Sequence, residues 1–302
     1  MTHRPLAGRV ALVAGATRGC GRAIAVELGA LGATVYGSGR STRAGRSPMD
    51  RPETIEETAE RVTAAGGEGV AVRCDHANRD DVAALVARIR ADHDRLDVLV
   101  NDVWGGDPLV EWGKPLWEHP LDAMLAILRN GIETHLITSH VVMPLLLEGT
   151  SGLVVEVGDG KGDAPYRMNM PYDLVKSGVV RIGEALAHEL APHGVTALSV
   201  TPGYLRSESM LEIYGVTEQT WREAAKRVPY FAHSETPHLL GRGIAALAAD
   251  PDRGRFAGRC LGSWDLMRTY DLTDADGARP DWGAVDLESR QAALAGGHPA
   301  AE

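Results

Sequence analysis

Two hydrophobic patterns take turns along the chain. Short runs dense in valine, leucine and alanine occur at Arg9–Ala14, Thr34–Ser38, Gly69–Arg73, Leu96–Asn101, Leu153–Val157, Val195–Thr201 and Arg259–Ser263. Their apolar residues are consecutive, as in strands covered on both faces. Between them lie longer amphipathic runs, Gly21–Leu31, Thr54–Ala65, Asp80–His93, Leu121–Leu147, Tyr172–Leu190 and Pro237–Ala249, each long enough for a crossover helix. Strand and helix alternate over most of the chain without internal repeats, which predicts an α/β fold with a single doubly wound parallel sheet and helices on both faces.

Two stretches break this rhythm. Arg40–Pro52 is basic and contains Pro48 and Pro52, so it reads as a loop before the next helix. Residues 204–236 carry Tyr214, Trp221, Tyr230 and Phe231 without a strand, and read as a helical lid over a substrate site or as a surface helical pair with its own small core. From Thr273 onward Ala, Gly, Asp and Pro dominate, which predicts an irregular or frayed tail. The expected organisation is one domain over 1–272, including the lid, and a tail over 273–302.

Composition narrows the class. A chain of 302 residues with 44% hydrophobic content can bury one sizeable core. Cys20, Cys74 and Cys260 are odd in number, far apart and without metal-ligand spacing, so they read as buried thiols in a reducing cytoplasm. The first apolar run starts too early to leave room for a signal peptide's hydrophobic region, and no stretch reaches the length of a membrane span. The expectation is a cytoplasmic protein with no membrane partner. A formal net charge of −10 argues against nucleic acid, so any anionic ligand must be held by local groups.

Such groups follow the first strand. In Ala14-Gly15-Ala16-Thr17-Arg18-Gly19-Cys20-Gly21 the glycines permit a tight turn, and the helix that opens after it offers free N–H groups and a dipole to a dinucleotide pyrophosphate. An ordinary strand-to-helix turn also uses glycine, but strand, turn and helix come here in the required order. The G-x-x-x-G-x-G spacing is similar to that of the short-chain dehydrogenase/reductase family, whose Rossmann fold it implies. Cofactor choice is read after the second strand, where an NAD site places a carboxylate for the ribose 2′-hydroxyl. Here Arg40, Ser41 and Arg43 follow instead, and with Arg18 they favour a 2′-phosphate, hence NADP(H); a solvated basic loop is the plainer alternative. Asp75 resembles the family's adenine contact. Asn101-Asp102-Val103-Trp104-Gly105-Gly106 resembles its Asn-Asn-Ala-Gly segment, with the second Asn changed to Asp.

Tyr172 and Lys176 are four apart at the start of a predicted helix and project from one face. A phenol titrates near ~10, and a nearby ammonium would bring it toward neutral pH. Together with the glycine turn and Pro202-Gly203, this pair extends the family resemblance over about Leu6–Leu266. The resemblance implies that Tyr172 exchanges a proton with the substrate, that Lys176 also holds the nicotinamide ribose, and that Pro202, Gly203 and Ser207 contact the nicotinamide. It also implies a small-molecule substrate and a homodimer or homotetramer built on the helices Leu121–Leu147 and Tyr172–Leu190.

The departures carry information. The family serine thirteen residues before the tyrosine is Asp159 here, as in pteridine reductases, and its helical asparagine falls at Gly131; Asn130, next door, would face elsewhere on a regular helix. An ionised aspartate cannot donate a hydrogen bond and opposes a phenolate. Asp159 is therefore protonated, or accepts from a substrate N–H or O–H, or relays protons to a substrate nitrogen, or merely caps its turn. Trp104, Trp112 and Trp117 could line a pocket, Asp163, Tyr166 and Arg167 could touch substrate, and His135 and His140 lack ligand spacing, so no metal is expected. The leading expectation is an NADPH-dependent reductase of a C=O, C=N or conjugated C=C group; non-hydride chemistry and a non-catalytic NADP(H) sensor remain alternatives.

Overall fold

The computed structural model describes residues 4–47, 49–149 and 151–285. Strands β1 (Val10–Ala14), β2 (Thr34–Gly39), β3 (Glu68–Arg73), β4 (Val98–Asn101), β5 (Leu153–Val157), β6 (Thr196–Thr201) and β7 (Cys260–Gly262) form one sheet in the order β3-β2-β1-β4-β5-β6-β7. Every neighbouring pair is parallel. All residues of β1, β5 and β6 are buried, which is why these strands read as unbroken apolar runs.

Helices α1 (Gly19–Ala30), α2 (Ile55–Ala65) and α3 (Arg79–His93) follow the first three strands. After β4 come α4 (Leu121–Leu128), a π-helical turn (Arg129–Glu133) and α5 (Thr134–Leu147), so the single helix expected over Leu121–Leu147 is interrupted by a wider turn. Then come α6 (Met170–Leu190), α7 (Glu208–Tyr214), α8 (Arg222–Ala225), α9 (Pro237–Ala249) and α10 (Ser263–Tyr270), the last not anticipated from the sequence. Alternation along β1 divides the core: Ala11 and Val13 pack with α1 and α9, and Val10 and Leu12 with α3 and α5. Side-chain caps start the helices where the sequence expects them: Thr54 accepts from the N–H of Glu57, Asn78 from that of Asp80 and Asn169 from that of Tyr172.

Residues 204–236 hold α7, α8 and a 3₁₀ turn (Pro229–His233) around Trp221, Ala224 and Phe231, with Tyr204 and Tyr214 packed against them. Buried Arg206 stacks on Trp221 and pairs with Glu218 and Asp276. The segment after Thr273, expected to be irregular or frayed, has no helix or strand over 274–280 but is held down in its described part: buried Asp274 accepts from the N–H of Thr236 at 2.7 Å, and Trp282 stacks on Tyr204. The remainder of that tail, 286–302, lies outside the described residues. Cys20 and Cys74 are buried, Cys260 is half-buried, and all three are free thiols. Among the described residues no helix is long and apolar enough to cross a membrane.

The sheet's strand order reverses between β1 and β4, which leaves a crevice at the carboxyl ends of these strands. Helix α1 is pressed into place there by α9, where a Cβ on Gly241 would lie 2.9 Å from the backbone of Ala23. Gly241→Ala gains about 1 kcal/mol of helix propensity but forces the two helices apart. A net loss of about 1–3 kcal/mol is expected, read as a fall of several degrees in a thermal melt. An unchanged or higher Tm would show that this contact is loose.

Candidate active site

A cavity of about 500 Å³ opens over that crevice and reaches from the glycine turn to Tyr172. At its base Gly15 and Gly19 take left-handed φ values of +87° and +55°, and Gly15 lies against the backbone of Asp102 with no room for a side chain. Thr17 and Arg18 line the cavity with them. Gly21, expected to touch the cofactor, does not line it; a Cβ there would collide with the carbonyl of Gly15, so this glycine serves the packing of α1 on the strands. Buried Arg22, overlooked in the sequence, locks the turn by donating from Nε to the Thr17 carbonyl and to Thr58 Oγ1, both at 3.1 Å. An arginine one turn into a helix looks like a surface residue until α2 folds over it.

Helix α1 has no side-chain cap and no acidic residue in its first turn. Its Gly19 N–H instead donates to the carboxylate of Glu208 at the start of α7, at 3.0 Å to Oε2 and 3.3 Å to Oε1. An anion therefore already sits at this helix terminus, as its dipole favours. Arg18 and Arg40 face the same cavity and form no hydrogen bond or ion pair through their side chains among the described residues. Burial, and then the charge of Arg51, lower the Arg18 pKa. These groups fit a dinucleotide's phosphates. Arg43 does not join them: it pairs with Glu60 at 2.7 Å on the exposed face of α2. Ser41, Asp75, Pro202, Gly203 and Ser207 line the cavity. Asn101 does not, because its side chain turns inward and donates to Glu156 at 2.8 Å and to Ser139 at 2.9 Å.

At the far end the Tyr172 hydroxyl donates to Asp159 Oδ2 at 2.6 Å. Burial, then the negative charge of Asp159 and this hydrogen bond, push the Tyr172 pKa well above the ordinary phenol range. That is the reverse of the lowering expected from Lys176, whose ammonium lies 4.5 Å over the ring of Trp104 and 5.5 Å from that of Tyr172. Trp104 and Trp112 stand edge-on to Tyr172, at 5.5 and 5.0 Å between centroids. Trp117 is exposed and lies away from the cavity. Arg167 donates to the Asp159 carbonyl at 2.5 Å and to Asp173 at 2.7 Å, which fixes the loop before α6. Tyr166 is exposed. Gly131 has no room for an asparagine, since a Cβ would strike Val175. Asn130, expected to face elsewhere, lines the cavity and donates to the Gly105 carbonyl at 3.0 Å, because the π turn carries one more residue than an α turn and rotates the face.

Comparison with known proteins decides what this geometry belongs to. A family profile described as short chain dehydrogenase matches residues 9–214. The chain belongs to that family. It is 34% identical over 277 residues to the mouse (Mus musculus) protein "Dehydrogenase/reductase SDR family member 1", covering 90% of this chain and 85% of the mouse protein. Among solved structures, a variant of actinorhodin polyketide ketoreductase with NADPH is 26% identical, with a TM-score of 0.69 over 84% of this chain and 95% of that one. A metagenomic short-chain oxidoreductase in complex with NADP is also 26% identical, with a TM-score of 0.63 over 82% of this chain and 94% of that one. The chain is thus a short-chain oxidoreductase that takes a nicotinamide cofactor.

Two acids of this dehydrogenase carry shifts that sequence spacing does not show: Asp102, which lines the cavity and is legible in the sequence only as the replacement of the second Asn, and Glu235, overlooked in the sequence. Asp102 is pushed up to about 7 by desolvation, against the opposing pull of Lys176, His135 and the N–H of Gly21. Glu235 is raised to about 8, also by desolvation; Ser263 donates to its Oε2 at 2.6 Å, while its buried Oε1 has no partner among the described residues. His135, taken from the sequence as structural, is buried between Glu156 and the Val103 carbonyl. Buried His76 is lowered to about 4, by desolvation first and then by His135. Among the described residues no group of three or more His, Cys, Asp or Glu could hold a metal ion.

Glu235 makes stability depend on pH with a definite sign. Its folded pKa lies above its unfolded one, so its neutral form contributes fully in acid, and that stability is lost as pH rises toward about 8. Glu235→Gln should match wild type near pH 5 and exceed it at pH 9 by on the order of 1–2 kcal/mol in denaturant unfolding. Equal stability at both values would show that the carboxyl ionises freely in the fold.

Proposed function

We propose that this oxidoreductase is an NADPH-dependent reductase of a C=O, C=N or conjugated C=C group in a small, ring-containing molecule, with Tyr172 as proton donor. The observation that carries the proposal is the Tyr172–Asp159 hydrogen bond at one end of a cavity whose other end is the N-terminus of α1, which lacks a cap from its own N-cap residue. Gly15, Thr17, Arg18 and Gly19 hold the pyrophosphate. Arg40, with Ser41, takes the 2′-phosphate; the absence of a carboxylate after β2 supports this choice, as do the NADPH and NADP in the two solved relatives. Asp75 meets the adenine, and Pro202, Gly203 and Ser207 the nicotinamide. Lys176 holds the nicotinamide ribose, its tuning of Tyr172 being outweighed in this state by burial and then by Asp159.

When bound, the reduced cofactor supplies a hydride. Tyr172 gives its hydroxyl proton to the substrate heteroatom, and solvent returns one through Asp159, whose side chain is 46% exposed. Asp159 stands where the family's serine is expected, and a carboxylate there accepts where a serine would donate. It therefore selects a substrate with an N–H beside the reducible bond, a nitrogen heterocycle or cyclic imine, whose ring packs between Trp104 and Trp112. A high Tyr172 pKa favours the reductive direction, in which the phenol must start protonated.

The test is loss of NADPH absorbance over ketones, quinones, cyclic imines and pterins. Tyr172→Phe should lower kcat by about 10²–10³ while leaving cofactor affinity within about two-fold. The wild-type reduction rate should stay level to high pH, and Asp159→Ser should both lose the nitrogen substrates and bring an alkaline fall into range. Arg40→Ala should raise KM for NADPH about ten-fold and leave NADH unchanged. Tight NADPH binding without turnover on any of these compounds would overturn the proposal in favour of non-hydride chemistry or cofactor sensing.

A further inference from the structure

The acid at the N-terminus of α1 comes from a different element, 189 residues away in sequence. Glu208 is the first residue of α7, next to Ser207, whose hydroxyl accepts from the Met210 N–H to start that helix. Helix α7 has no buried residue of its own; Leu211 and Tyr214 pack only partly against Trp221 and Phe231. Two further attachments hold it: Glu212 pairs with both terminal nitrogens of Arg51, at 2.7 and 2.9 Å, and at its end Tyr214 bonds through its hydroxyl to Tyr204, accepts from Arg227 at its carbonyl and packs on Phe231. Arg51 belongs to the loop after β2 and is also held by Glu53 at 3.1 Å. Two carboxylates of one short helix thus reach across the cleft, one to the α1 terminus and one to the basic loop. The same helix turns Met210 and Ile213 toward the cavity.

We propose that α7 is an acidic strap whose Glu208 carboxylate competes with the cofactor's pyrophosphate for the first N–H of α1, so that cofactor binding releases the start of α7 and reshapes the substrate end of the cleft. The inference rests on the reading of the α1 terminus as the pyrophosphate site. Two anions cannot share that terminus: each is drawn by the same dipole and the same N–H groups, and they repel one another. Displacement leaves no buried polar group stranded, because Glu208 is only half-buried and returns to water. What holds the start of α7 closed is therefore weak enough for a ligand to replace, unlike the Tyr214 contacts at its end and the buried Arg206 cluster that anchors the rest of residues 204–236. Because Glu208 adjoins the 202–207 loop, movement at the phosphate end is passed to the nicotinamide end within a few residues. The cofactor would then be needed before the substrate pocket takes its working shape.

The experiment titrates the full chain with NADPH and with NADP⁺, by calorimetry, for wild type, Glu208→Gln, Glu208→Asp and Glu212→Gln. Removing or shortening the competing carboxylate should tighten both nucleotides by about 3- to 10-fold, the size of a charge effect at a helix terminus. Glu212→Gln should tighten them less. Limited proteolysis gives a second readout without turnover: cleavage within 204–236 should rise on NADPH binding in wild type and be high already in unliganded Glu208→Gln. Wild type that binds nucleotide while the Glu208 variants bind equally or more weakly would overturn the strap. Absence of nicotinamide nucleotide binding in every variant would overturn the pyrophosphate assignment and the strap with it.

Discussion

The contact between the glycine turn and the end of β4 is what the site depends on. Gly15 lies against the backbone of Asp102, Gly21 lies against Gly15, and the Asp102 carboxylate accepts the Gly21 N–H. A side chain at either glycine would push α1 off the strands. With them in contact, the helix starts at the switch point of the sheet and its first residues, Gly19 and Cys20, line the cavity. Gly241 holds the same helix from behind against α9, and Arg22 holds the turn from α2. The anion-binding end of the cleft is thus a packing result, and glycine is required on three sides of one helix.

Charge is arranged around that frame in a way the net value of −10 hides. Among the described residues the cavity's Arg18 and Arg40 have no side-chain partners, while its acids are each engaged by the protein itself. Glu208 rests on an N–H of α1, and Asp159 accepts from Tyr172. A ligand entering such a site exchanges hydrogen-bond partners and does not create bonds from nothing, so its net gain is modest and its selectivity depends on which partner it can replace. Asp102, which lines the cavity, and Glu235, which lies outside it, are both shifted toward neutrality by burial, which weakens the negative charge they present to the place where phosphates would lie.

Much of this was legible in the residues. Consecutive apolar runs announce buried parallel strands because a strand covered on both faces has no polar side to show. The Gly15–Gly19 turn and Pro202-Gly203 lie where strands end, the Tyr172/Lys176 pair opens the helix after β5, and a doubly wound sheet brings all strand ends to one edge. Where side-chain direction mattered, the sequence misled. Arg43 was as plausible as Arg40 until Glu60 took it, and Asn101 was as plausible as Asp75 until Glu156 and Ser139 turned it inward. Asn130 seemed to face away because a regular helix was assumed, and one wide turn brought it into the cleft.

The sequence by itself determined the architecture, the location of the cleft and most of the residue types around it, since these follow from periodicity and from local chain geometry. Tertiary structure alone decided the electrostatics. Whether Tyr172 is lowered by Lys176 or raised by Asp159 depends on burial and on distances between side chains from different loops. That α1 is capped by Glu208 depends on a contact spanning 189 residues. Periodicity records which side of an element is buried, but charge acts through space, and the distances it acts over exist only once the chain has folded.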